Sequence, residues 1–177
     1  SGTFTEAALL TQTDLASAEH VLYKSHSDVL HNTSTGEIDF GFCAIENAIE
    51  GTVNVVQDTL AFDSELLIQR EVVIPITMNL LVKTGSSLSD VRKVISYPHA
   101  LAQVRSFLRE NLPDAELEAA NSTAHAAHLL SESDELNVAA VGTSLAAEKY
   151  GLDIVAEGIE DHEGNKTRFV LIARDGI

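Results

Sequence analysis

The sequence predicts an α/β fold built as two lobes joined at a hinge, and three observations carry that expectation. Short apolar strand-like runs alternate with helix-favouring runs across residues 77–154, the spacing of strands paired in parallel through intervening helices. The segments on either side, 1–76 and 155–177, lack that regularity and together form a first lobe into which 77–154 is inserted as a second. Hydrophobic residues make up 45% and charged residues 21% of the 177 positions, which is the balance of a chain that folds around a core.

Taken in order, Phe4 to Leu10 is apolar and helix-favouring, and His20-Val21-Leu22-Tyr23 reads as a strand. Ser25 is placed to cap a short helix that Gly36 ends, and Ile38 to Ile45 is an apolar β run. Leu66 to Ile76 and Met78 to Val82 read as strands on either side of Pro75, whose missing N–H suits a crossing or an edge. The alternation then sets in: strand Val94-Ile95, helix Leu101 to Leu108, strand Ala115 to Ala119, helix Thr123 to Leu130 and strand Val138 to Val141. Helix Leu145 to Tyr150 is closed by Gly151, and Ile154-Val155 and Phe169 to Ala173 complete the strands.

Composition narrows the function classes. Eleven basic against 27 acidic residues give a net charge of −16, which disfavours phosphate-backbone binding, so no nucleic-acid partner is expected. That field repels anions at long range, and an anionic substrate must be held by local donors. There is no uncharged apolar run of membrane-spanning length and no basic amino-terminal region, so a soluble cytoplasmic protein is expected. The single cysteine, Cys43, can form neither an internal disulfide nor a thiolate metal cage.

Four segments carry candidate chemistry. Gly2-Thr3-Phe4-Thr5-Glu6-Ala7-Ala8 sets hydroxyl residues at a helix start, either to hold a carboxylate or as an ordinary cap completed by Glu6. Glu46-Asn47-Ala48-Ile49-Glu50-Gly51-Thr52-Val53 follows an apolar strand, and Asn47 is either a ligand group or a turn residue. Ser96-Tyr97-Pro98-His99 follows another strand, with Gln103 one helical turn beyond His99; His99 is a general acid–base candidate or a solvated residue behind a helix-starting proline. Asn165-Lys166-Thr167-Arg168-Phe169 opens the last strand, either putting a hydroxyl and a cation together in a cleft or simply starting a strand. His125 and His128 have a spacing that permits metal ligation, but no third ligand accompanies them in sequence, and no metal is expected. Fingerprints for a serine hydrolase, a nucleotide-phosphate loop and a dinucleotide fold are absent.

In their order, these four segments resemble the catalytic domain of the prephenate dehydratase family, and Ala146-Ala147-Glu148-Lys149-Tyr150-Gly151-Leu152 adds to the match. The resemblance implies two lobes like those of type II periplasmic binding proteins, with the ligand in the cleft. It also implies conversion of prephenate to phenylpyruvate in phenylalanine biosynthesis, without metal or coenzyme. By resemblance Thr167 is catalytic, donating a hydrogen bond to the departing hydroxyl, while Glu46, Asn47, Ser96, Gln103, Arg168 and Thr3 bind substrate. Arg168 would be the cation for a substrate carboxylate.

The chain departs from the family pattern at Ala48, Tyr97, His99 and Asn121, where serine, histidine, glutamine and often glutamate are usual. The family also places a hydrophobic strand before the Gly-Thr-Phe motif and a phenylalanine-sensing ACT domain after the catalytic domain. A preceding central strand, a following regulatory domain and a homo-oligomer, dimer or tetramer, of the full-length protein are therefore expected. Two other readings stay open on sequence alone: a non-catalytic binding module for small anions, and a relative acting as an arogenate dehydratase or prephenate decarboxylase.

Overall fold

Residues 2–175 are described by the computed structural model. Ser1, Gly176 and Ile177, and with them the outer limits of the expected first lobe, lie outside the described residues. The α-helices are α1 (Phe4–Leu10), α2 (Thr13–Ala16), α3 (His26–Thr35), α4 (Asn54–Asp58), α5 (Pro98–Gln103), α6 (Arg105–Asn111), α7 (Thr123–Glu132) and α8 (Ser144–Tyr150). The strands are β1 (Gly41–Asn47), β2 (Gly51–Thr52), β3 (Leu67–Pro75), β4 (Asn79–Lys83), β5 (Lys93–Ser96), β6 (Glu116–Ala119), β7 (Val138–Gly142), β8 (Leu152–Ala156) and β9 (Lys166–Ala173). They form two sheets in two units, one of residues 5–76 and 164–175, the other of residues 2–4 and 77–163.

The first unit holds the sheet β2-β1-β9-β3, antiparallel throughout. Side chains alternate across a strand, so β1 and β9 each feed two apolar layers. Cys43, Val170 and Ile172 join Leu30 of α3 and Val56 of α4 on one face, while Phe42 and Phe169 stack at 5.5 Å between ring centroids on the other. α3 starts where Ser25 Oγ accepts the Asp28 N–H at 3.1 Å, a cap of a kind worth about 1 kcal/mol. It stops at Gly36, whose φ of 81° belongs to the left-handed region. α3 also lies directly on β1: a Cβ at Gly41 would come within 2.5 Å of Thr33 Oγ1, so only glycine permits that approach. Pro75 ends the edge strand β3, where its missing donor does not cost a central ladder bond.

The second unit holds the sheet β6-β5-β7-β4-β8. α7 presents Ala126, Ala127 and Leu130 to Ile95 of β5 and to Val138 and Ala140 of β7, and α8 adds Ala146 and Ala147 to the same core. These small side chains bring the helices close to the strands. Thr143 caps α8, accepting the Ala146 N–H at 2.9 Å, and Gly151 ends it at a φ of 63°.

Four expectations are corrected. His20 to Tyr23 is not a strand; no described strand lies beside it, and Val21 and Leu22 are 56% and 65% exposed. Among the described residues parallel pairing is confined to β5 with β6 and β7, where helices make the crossovers, while the remaining pairs are antiparallel. The helix read from Leu101 to Leu108 is two helices, interrupted at Val104 with φ −123° and ψ 19°. Residues 155–163 group with 77–154, because β8 pairs with β4, and residues 2–4 group there too.

Candidate functional site

In the first unit the polar residues gather where β1 ends and β9 begins. Asn47 and Thr167 are register partners on these antiparallel strands, and their side chains share one face. Asn47 Oδ1 accepts the N–H groups of Ile49 and Glu50, each at 2.9 Å, within the turn at residues 48–50 that leads into β2. Those groups offer only protons, so the amide oxygen must face them and the amide nitrogen must face the other way. Asn47 Nδ2 then donates to Asn165 Oδ1 at 3.0 Å and to Thr167 Oγ1 at 2.8 Å. Both amide protons and both oxygen lone pairs of Asn47 are engaged, which makes it a residue that positions others. Thr167 is 7% exposed and Asn165 3%. Because Thr167 Oγ1 takes its proton from Asn47, its own O–H proton is left for another acceptor.

Arg168 stands on the opposite face of β9 from Thr167, as adjacent residues of a strand must. Its guanidinium lies 3.6 Å from Glu46 Oε2 and 3.5 Å from Glu71 Oε2, each of the three side chains about half exposed. The expectation that Thr167 and Arg168 bring a hydroxyl and a cation together is corrected by this geometry. Glu46 belongs with Arg168, one pleat removed from Asn47.

In the second unit Ser96 ends β5, fully buried, and its Oγ donates to the Tyr97 carbonyl at 3.2 Å. Pro98 opens α5, and the Tyr97 and His99 rings lie 5.2 Å apart at its exposed start. Gln103, 8% exposed, ends that helix one turn beyond His99. The Gly2 carbonyl accepts from Thr143 Oγ1 at 3.0 Å, and a Cβ on Gly2 would meet Ala146 Cβ at 3.1 Å. Glycine therefore fits there both by space and by its φ of 89°, and it seats Thr3, half-buried, near the start of α8.

His125 Nδ1 accepts the Asn121 N–H at 3.2 Å, and His128 pairs with Glu132 at 3.4 Å while lying against Tyr150. Among the described residues no group of three or more histidine, cysteine, aspartate or glutamate side chains is arranged to hold a metal ion. Sequence reasoning missed Asn165 as a member of the Thr167 cluster. The signal was its place two residues before Thr167, which the strand period puts on the same face.

The sequence model of the prephenate dehydratase family matches residues 1–177. The chain is 39% identical over 168 residues to the prephenate dehydratase of Lactococcus lactis subsp. lactis, covering 95% of this chain and 60% of that protein. Its structure is similar to the prephenate dehydratase of Arthrobacter aurescens solved with L-Phe, with a TM-score of 0.89, 38% identity, and coverage of 99% of this chain and 58% of that one. A nutrient binding protein from Burkholderia cenocepacia, solved with methionine, shares the fold at 12% identity and a TM-score of 0.52, covering 96% of this chain and 79% of that one. The chain thus spans about three-fifths of the length of the relatives it matches. With the family's ordered motifs seated on an α/β fold that binding proteins share, and a family match running through all 177 residues, the chain belongs to the prephenate dehydratase family.

Proposed function

We propose that this chain carries out the decarboxylative dehydration of prephenate to phenylpyruvate. The observation that carries the reading is the Asn47–Thr167 hydrogen bond, which leaves the threonine hydroxyl as a donor. In the reaction the bond from the ring to its carboxylate breaks and its electron pair moves into the ring. The ring C–O bond breaks in turn, and the oxygen leaves as water after taking one proton from the medium. Carbon dioxide, water and phenylpyruvate are the products, and aromatisation drives the step. The enzyme's principal task is to stabilise negative charge on the departing oxygen, and a preoriented neutral donor does this without a strong acid.

Thr167 is that donor, held by Asn47, with Asn165 bonded to the same amide. Ser96, Gln103 and Thr3 are the proposed substrate-binding groups of the second unit, Gln103 and Thr3 as local donors of the kind that a chain of net charge −16 needs for an anionic substrate and Ser96, whose proton goes to the Tyr97 carbonyl, as an acceptor. Arg168 and Glu46, paired with each other on the far face of β9, serve the β1–β9 ladder and do not touch the reacting ring. Incubation with prephenate, followed by phenylpyruvate absorbance in alkali, tests the reading. Phenylpyruvate formation that depends on protein concentration supports it, and an unchanged substrate refutes it.

A further inference from the structure

The chain's second unit contains a clamp far from Gln103 in sequence. The run from Pro98 to Asn111 has no glycine and no internal proline, yet it breaks at Val104, which sits at the N-cap position of α6. Valine has no side-chain oxygen with which to cap, and Val104 is fully buried. Asp161 supplies the missing cap from 55 residues away: its Oδ1 accepts the Ser106 N–H at 2.9 Å. Its own backbone N–H donates to the Gln103 carbonyl at 2.7 Å. One residue thus bonds on both sides of the helix break, taking up an orphan donor of α6 and an orphan acceptor of α5.

The segment bearing Asp161 is itself fastened. Glu160 accepts the Met78 N–H at 3.0 Å, Ile159 donates to the Met78 carbonyl at 2.9 Å, and Gly158 donates to Asn79 Oδ1 at 3.3 Å. Asn79, 1% exposed, is held in turn by Ser144. Ile159 is buried beneath the segment. Asp161 is thereby anchored to the start of β4, and through it the end of α5 is fixed in place.

We infer that Asp161 is a positioning residue for Gln103, acting through the helix break at Val104 so that the Gln103 side chain is presented to substrate; this rests on the proposed function. Asp161→Ala is expected to raise KM for prephenate about tenfold with kcat little changed, since misplacing a binding group by a fraction of an ångström is costly. Asp161→Asn keeps an acceptor for Ser106 and is expected to restore KM. Ser25→Ala, which removes the cap of α3 in the other unit, lowers Tm without moving KM and so separates positioning from stability. In the double variant Gln103→Ala with Asp161→Ala, KM should be no higher than in Gln103→Ala alone. If Asp161→Ala does not fold, Asp161→Glu, with its carboxylate displaced by a methylene, takes its place. An unchanged KM in the Asp161 variant, or additive effects in the double variant, overturns the inference. If the wild-type protein does not convert prephenate, the functional reading fails on that result alone, and amide exchange judges the clamp. Faster exchange at Ser106 and residues 100–103 in Asp161→Ala, restored in Asp161→Asn, upholds it, and unchanged exchange overturns it.

Discussion

Asn47 Nδ2 lies 2.8 Å from Thr167 Oγ1, and because the amide oxygen of Asn47 is already bonded to two backbone N–H groups, the direction of that bond is set. The nitrogen gives, the hydroxyl receives, and the hydroxyl proton is available to something else. Asn47→Asp is nearly isosteric and keeps the turn-forming oxygen, but it offers Thr167 an acceptor in place of a donor. The threonine proton would then be spent on the introduced carboxylate. The expected outcome is a fall in kcat of about 10²–10³, with KM changed less than about threefold, measured in steady-state assays on prephenate.

Arg168 faces away from Thr167 and is bracketed by Glu46 and Glu71. Two carboxylates and one guanidinium leave a local charge of −1, so the cation is already matched within the protein. Arg168→Ala is therefore expected to leave KM for prephenate within about threefold of wild type, the range of an exposed ion pair worth about 0–1 kcal/mol. A rise in KM of about tenfold would place the guanidinium on the substrate.

Cys43 sits in the middle of β1, fully buried against Leu30, Val56, Val170 and Ile172, and burial pushes its thiol pKa up to about 12. The thiolate is the reactive form, so the folded protein should resist alkylation at neutral pH. Labelling by a thiol reagent in increasing urea is expected to follow the unfolding transition of this unit. Rapid stoichiometric labelling in the absence of denaturant contradicts the packing.

His26 and Asp14 both make stability depend on pH. Burial holds His26, at the first turn of α3, below its ordinary pKa of 6.5. The unfolded chain therefore takes up that proton first, and stability present above pH 6.5 is lost as pH falls toward the folded value. The Arg70 guanidinium, bonded to both oxygens of Asp14 at 2.9 and 2.7 Å, lowers the Asp14 carboxyl to about 2. Stability from this pair is present above 3.8 and is lost as pH falls through about 2. Urea midpoints measured near neutral pH and about one unit below the ordinary histidine pKa should differ less in His26→Gln than in wild type.

Local chemistry made several elements legible in the sequence. Ser25 and Gly36 bound α3 as their side-chain and backbone preferences dictate, and Gly151 ends α8 for the same reason. Features that depend on distant partners were not legible. The run His20 to Tyr23 has strand composition, but a strand needs a ladder, and composition does not supply one. Val104 interrupts a run of good helix formers because Asp161 caps the second half from 55 residues away, a contact with no local trace. In the candidate site, Thr167 and Asn47 stood out by motif, whereas their hydrogen bond required the antiparallel register of β1 with β9. The separation of Thr167 from Arg168 follows from the strand period once that segment is known to be a strand.

If the Thr167 proton stabilises the departing hydroxyl, removing it must slow the chemical step, and Thr167→Val removes it together with the rest of the hydroxyl. Valine keeps the shape and the burial of the side chain and removes the hydroxyl, both the proton meant for the departing oxygen and the acceptor of Asn47 Nδ2. Steady-state kinetics on prephenate, read as phenylpyruvate absorbance in alkali, should show kcat reduced about 10²–10³ with KM nearly unchanged and a Tm within a few degrees of wild type. A Thr167→Val protein that turns over prephenate at close to the wild-type rate would contradict the donor role of Thr167.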